Sequence, residues 1–275
     1  MSVAAGEPLR LYLIRHGETE WSLSGQHTGR TDIPLTANGE DGARDLGKAL
    51  RGIRIAQVFT SPLQRASRTC ELVALGPDAQ VDPDLAEWDY GDYEGQRTPD
   101  IRRHHPGWNI YRDGSPHGET PAQVVARADR VVERLRALHG NIALFSHGQF
   151  GAALAVRWIG LPLVEAEHFE LGTASFAILG YAAHHPDVSV IAQWNGTANM
   201  ILRQVAGPRM CSDTSPRRSA LEGWENEGGA TSPEDRSPAK KLVVFDLDGT
   251  IAESKAADDA EMASLLGDML GISIK

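Results

Sequence analysis

Cysteine is almost missing from this chain: Cys70 and Cys211 are the only two among 275 residues. They lie far apart and match no metal or redox spacing, so neither a disulfide framework nor a cysteine-based metal site is expected. Cys70 falls in a helix-like stretch and reads as a small buried apolar side chain. Positive charge is also in deficit. Lys and Arg number 27 against 37 Asp and Glu, for a net charge of -10. Such a surface repels phosphate-rich polymers and anionic membranes, so no nucleic-acid or membrane partner is expected. A phosphorylated small molecule would need a local basic pocket. No apolar run approaches the length that spans a bilayer. Met1 to Pro8 has neither the basic nor the apolar part of a signal peptide, and the expected location is the cytoplasm. There is no internal repeat. His184-His185 has no acidic or cysteine companions at ligand spacing, so no metal site and no cofactor are expected.

What the chain does have is strands alternating with helices. Leu9–Ile14 is a short apolar run ending at Arg15-His16-Gly17, and it reads as a buried strand. Thr36 is placed to cap a helix running to about Leu50. A strand at Ala56–Thr60 leads into Ser61-Pro62, where proline suits the first turn of a helix that ends near Gly76-Pro77. Val81–Leu85 reads as a third strand. Residues 86–120 are rich in Gly, Pro, Trp, Tyr and His without clean periodicity, which suggests a loop-rich insertion with one short helix over the active site. A long amphipathic helix is expected over Ala122–Leu138 and a strand over Asn141–Phe145, ending at Ser146-His147-Gly148. A further helix follows at Phe150–Ile159, and two closing strands at Ala174–Tyr181 and Val188–Trp194. This order predicts an α/β fold: three α/β/α layers around a mainly parallel central sheet.

His16 and His147 share one context, an apolar strand-like run before them and a glycine after. Ligands of open parallel sheets bind beyond the carboxyl ends of the strands. Two histidines leaving neighbouring strands there can face one phosphate, with Gly17 and Gly148 allowing close backbone approach. Arg15 and Arg65 offer planar donors for a phosphate, and Arg65 lies in the first turns of a helix, whose N-terminus favours an anion.

These residues carry a resemblance. Leu13-Ile14-Arg15-His16-Gly17-Glu18-Thr19 resembles the signature of the histidine phosphatase, or phosphoglycerate mutase-like, superfamily. The likeness continues through Thr28-Gly29, Ser61-Pro62-Leu63-Gln64-Arg65, Glu87 to Gly95, Gly118-Glu119-Thr120 and Ser146-His147-Gly148. It implies that His16 is the nucleophile that carries phosphate, that Arg15, Arg65 and His147 clamp it, and that Glu87 is the general acid. It also implies that no metal is needed, and that Thr28 and Gly29 contact substrate beside Arg15 and Arg65. Gly148 is read as binding substrate through close backbone approach, and Tyr90 as lining the pocket, although a small satellite core is the more common role for the aromatics Trp88, Tyr90 and Tyr93 of such an insertion. Ser22 stands where some members have an asparagine. Ser24 to Gly29, Glu87 to Gly95 and Trp108 to Gly114 look like the sedoheptulose-1,7-bisphosphatase branch, which implies sugar phosphates or bisphosphates as substrates.

The expected function is therefore metal-independent hydrolysis of small phosphorylated metabolites. A phosphoglycerate mutase-type transferase and a non-catalytic phospholigand-binding protein are the competing readings, and a homo-oligomer is left open. Arg102, Arg103, His104, His105 and Arg112 could seat a second phosphate, although a solvated helix face is the preferred reading of that cluster. The histidine phosphatase domain is expected over residues 1–206. Residues 207–240, rich in Gly, Pro and Ser, read as a disordered linker. Residues 241–275 contain Asp246-Leu247-Asp248-Gly249-Thr250, which resembles the first motif of haloacid dehalogenase-like phosphatases. They read as the truncated start of such a domain, too short to fold alone.

Overall fold

The computed structural model describes residues 7–198. The linker at 207–240, the segment 241–275 and with it Asp246 and Asp248 lie outside the described residues.

β1 (Arg10–Arg15) points Leu11 and Leu13 to one face and Tyr12 and Ile14 to the other. All four are buried, the mark of a strand covered on both sides. α1 (Glu20–Ser24) follows, closed by a capping box between Thr19 and Ser22. α2 (Ala37–Leu50) starts as expected at Thr36, whose hydroxyl accepts from the Gly39 amide at 3.0 Å.

β2 (Ile55–Thr60) leads to α3 (Gln64–Leu72), which is shorter than expected at both ends. Pro62 and Leu63 stay outside the helix. The Gln64 amide finds its acceptor across the molecule, at Asp32 Oδ1, 2.8 Å away. At the far end Ala74 takes a positive φ of 69°, which stops the helix before Gly76. β3 is Ala79–Val81, not Val81–Leu85. Pro83 has no amide for a ladder, and the Asp82 carboxylate accepts from Asp84 N, folding Pro83–Leu85 into a 3-10 turn.

The insertion holds α4 (Thr98–Arg102), α5 (Ile110–Asp113) and a 3-10 turn at Gly91–Tyr93, where one short helix was expected. Its aromatic residues join the main core, with Trp88 and Tyr90 almost fully buried. α6 (Pro121–Arg136) opens on a capping box between Thr120 and Gln123. β4 (Asn141–Ser146) runs directly into α7 (Gly148–Trp158), and β5 (Phe176–Ala182) and β6 (His185–Gly196) close the sheet.

The six strands lie in the order β3-β2-β4-β1-β5-β6. β3, β2, β4 and β1 are mutually parallel, whereas β5 is antiparallel to both β1 and β6. α6 and α7 cover one face, packing Val124, Ala128, Phe150 and Leu154 with Leu11 and Leu13. α2 and α3 cover the other, packing Leu46, Ala49, Cys70 and Val73 with Tyr12 and Ile14. The three layers are those expected. Burying Phe150 or Leu154 in full is worth about 2 kcal/mol each. No helix among the described residues is long and apolar enough to cross a membrane.

Candidate active site

The chain places β4 between β1 and β2, so the direction of winding changes beside β1. A crevice opens at the carboxyl ends of strands at such a point. The register pairs Arg15 with Ser146, so His16 and His147 each follow one step later on adjacent parallel strands. Their ring centroids lie 5.2 Å apart. β2 ends beside them, and Ser61 Oγ lies 2.8 Å from His147 Nε2.

His16 is nearly buried, and its Nδ1 lies 2.7 Å from the Gly17 carbonyl oxygen. A carbonyl only accepts, so Nδ1 carries the hydrogen in the neutral ring. The lone pair is then on Nε2. Burial holds the His16 pKa well below the usual histidine value, and the Arg15 and Arg65 charges push it the same way. His147 is depressed likewise by burial and by Arg65, His16 and Arg15. Both imidazoles are therefore neutral at neutral pH, and His147 Nδ1 is buried without a partner among the described residues.

Glu87 hangs over the start of α7. Its Oε1 accepts from the amides of Trp88 (2.9 Å) and Phe150 (2.8 Å), and its Oε2 from Gln149 (3.1 Å). A carboxylate at a helix N-terminus meets free amides and the positive end of the dipole.

The two arginines differ from each other. Arg15 lines the crevice, with Nη1 donating to the Leu171 carbonyl and Nε unpartnered. Arg65 is fully buried. Its Nη2 donates to the carbonyls of Thr28 (3.0 Å) and Gly29 (2.9 Å), and its Nη1 to Thr31 (3.0 Å). The expected two-pronged phosphate grip is thus occupied by backbone, and Nε alone of its three nitrogens has no partner among the described residues. Burial depresses the pKa of each guanidinium, and the Glu87 charge opposes that.

The loop at 28–31 is held from both sides. Arg65 takes its carbonyls, and Glu94 Oε1 accepts its amides at Gly29 (2.8 Å) and Thr31 (3.0 Å). Gly29 has no room for a side chain, since a Cβ would lie 2.5 Å from the Trp88 carbonyl oxygen.

The cavity in front of His16 measures about 250 Å³. Of the residues named from the sequence, Arg15, His16, Thr28, Glu87 and Tyr90 line it. Arg65 and His147 sit behind this wall. Gly29 and Gly148 are not part of the wall either; Gly148 instead packs close to the Arg15 guanidinium. Trp21, Ser22, Gly25, Gln26, His27, Thr98 and Gln149 complete the lining. Of these, Ser22 was marked in the sequence as the place where some family members have an asparagine, and the others were not singled out for binding. Tyr90 stacks on His27 with centroids 4.5 Å apart, and its buried hydroxyl has no partner among the described residues. Burial and the Glu87 charge raise the phenol's pKa well above its usual value, so it remains a donor. Burial pulls His27 down to about 4. The signals for these residues were Ser22 at the asparagine position and the Ser24 to Gly29 stretch of the resemblance; Trp21, Thr98 and Gln149 had none.

None of Arg102, Arg103, His104, His105 and Arg112 reaches this cavity. Arg103 pairs with Asp100 and Arg112 with Asp113, while His104, His105 and Arg112 line a separate open groove of about 710 Å³. Among the described residues, no group of three or more His, Cys, Asp or Glu could hold a metal ion.

The family model for the histidine phosphatase superfamily (branch 1) matches residues 11–194. An acid phosphatase of Mycobacterium tuberculosis is 43% identical over 176 residues, covering 62% of this chain and 86% of its own. Sedoheptulose 1,7-bisphosphatase of Saccharomyces cerevisiae is 40% identical over 186 residues, covering 55% of this chain and 68% of its own. The solved structure of an open reading frame product from Mycobacterium tuberculosis superposes with a TM-score of 0.65 at 39% identity, over 69% of this chain and 98% of that one. The chain belongs to the histidine phosphatase superfamily, branch 1, and is a phosphatase of that family.

Proposed function

We propose that the chain hydrolyses small sugar monophosphates through a phosphohistidine formed on His16. The observation that carries this reading is the His16 ring itself. It is neutral, fixed through Nδ1, and presents the Nε2 lone pair beside Arg15 and Glu87 at the crevice.

In the first step Nε2 attacks phosphorus and the bond to the leaving oxygen breaks. Glu87 first takes the proton that the substrate brings as a phosphate monoanion and passes it to that oxygen. In the second step water attacks the phosphohistidine, Glu87 takes the water's proton, and phosphate leaves with His16 restored. Arg15 neutralises charge from the cavity wall, while Arg65 and His147 act from immediately behind it. No step needs a metal, so turnover is expected to survive EDTA unchanged.

The cavity wall supports a hydroxyl-rich leaving group. Trp21 offers an aromatic face for sugar C–H groups, and Ser22, Gln26, Thr98, Gln149 and the Tyr90 hydroxyl offer hydrogen bonds. Arg15 is the one arginine or lysine in that wall, which favours monophosphates over bisphosphates. The same feature favours release to water over a mutase reaction, which must hold a substrate with two anionic groups.

Rapid quenching with labelled substrate is expected to trap acid-labile phosphate on His16. His16→Ala is expected to lose turnover by about 10⁴-fold or more. Label on another residue, or near-normal turnover by that variant, ends the proposal. A panel of phosphorylated metabolites, run with and without a bisphosphate primer, tests the substrate class and the mutase alternative together.

A further inference from the structure

Arg127 and Glu119 form the least exposed ion pair among the described residues, and neither lines the cavity. The pair is two-pronged: Arg127 Nε donates to Glu119 Oε1 at 2.9 Å, and Nη2 to Oε2 at 2.7 Å. Arg127 Nη1 also donates to the carbonyls of Asp84 (2.9 Å) and Ala86 (2.6 Å), and Nη2 reaches the Glu87 carbonyl at 3.4 Å. Its guanidinium lies 4.1 Å over the Phe150 ring, and the Phe150 amide is one of the three that hold the Glu87 carboxylate. Glu119 works on the other side of Glu87. Its Oε2 accepts from the Asp89 amide at 3.0 Å, and its own carbonyl accepts from Trp88 Nε1 at 2.9 Å.

We infer that the Arg127–Glu119 pair is the positioning device of the proton donor, setting the place and angle of the Glu87 carboxyl from behind. Arg127 ties the backbone at Glu87 to the first turn of α7, the two parts that share the carboxylate. This rests on the reading of Glu87 as the acid. A proton passes along a short, directed line, so a carboxyl displaced by about 1 Å loses most where the leaving oxygen needs that proton most. Esters with good leaving groups need it least. Lysine cannot replace the planar fork of Arg127.

The test uses the full chain and a series of esters from para-nitrophenyl phosphate to an alkyl phosphate. Arg127→Met is expected to lower kcat for the alkyl ester at least about tenfold more than for para-nitrophenyl phosphate, with KM changed by less than about threefold. Arg127→Lys is expected not to rescue this, and Glu119→Gln to show the same pattern more weakly. Combining Arg127→Met with Glu87→Gln is expected to be no slower than Glu87→Gln alone, because both changes disable one device. Equal loss for all esters, or multiplying losses in the double variant, would overturn the inference. If Arg127→Met does not fold, Glu119→Gln carries the same comparison. Glu87→Gln is the control for the underlying reading: without leaving-group dependence of its own, the acid role fails and the positioning role with it.

Discussion

Arg65 shows how far a side chain's type constrains its task. Its position after Ser61-Pro62 was legible in the sequence, and so was its nearness to His16. Its partners were not, because the carbonyls of Thr28, Gly29 and Thr31 reach it only in the folded chain. Arg65→Met would leave these acceptors buried and unpaired, and is expected to cost about 3 kcal/mol or more in urea denaturation. Arg65→Lys keeps the charge without the fork and is expected to recover only a minor part. His27 gives a prediction in pH. Its pKa falls from 6.5 to about 4 on folding, so between these values the unfolded chain binds the extra proton. Stability from this group is full above pH 6.5 and is lost as pH drops toward 4, by about 3 kcal/mol at most. His16 and His147 shift in the same direction and add to the slope. His27→Gln is therefore expected to flatten the decline of the denaturation midpoint between pH 6.5 and 4.

At the scale of elements, the β1–α2 junction is set by contact between backbones. A Cβ on Gly17 would lie 2.4 Å from the Gly39 carbonyl oxygen, and one on Gly39 would lie 2.2 Å from that of Glu18. The first turn of α2 thus rests directly on the strand exit that carries His16. Gly39→Ala must push these segments apart. It is expected to reduce both stability, by about 2 kcal/mol, and turnover, measured on the same preparation. Gly17 was legible as a site of close approach because it follows His16, but the partner was assumed to be phosphate and is another glycine. The main strands and helices were readable from apolar periodicity and from Thr36 and Thr120 as caps. The third strand was misplaced because Val81 and Leu85 outweighed Pro83 between them. The cavity wall was the least legible part. Gln26 bridges to Arg97, and the His27 amide donates to Gln96 O at 2.8 Å, so α1 and α4 reach the crevice through one small long-range pairing. No local pattern announces it.

For the whole molecule, every described residue lining the cavity lies between Arg15 and Gln149, and the family match ends at residue 194. A chain ending at residue 206 is therefore expected to keep turnover of para-nitrophenyl phosphate within about twofold of the full chain, a difference small against the tenfold per 1.36 kcal/mol of barrier. The pairing of β1 with β4 has a kinetic consequence as well. These neighbours are joined by a connection that contains α2, β2, α3, β3, the insertion and α6. Closing so long a connection carries an entropic cost before the strand contacts repay it, which makes high contact order a source of slow refolding. During renaturation, helical circular dichroism should recover before hydrolysis does, and the lag would time the moment at which the two histidines first become neighbours.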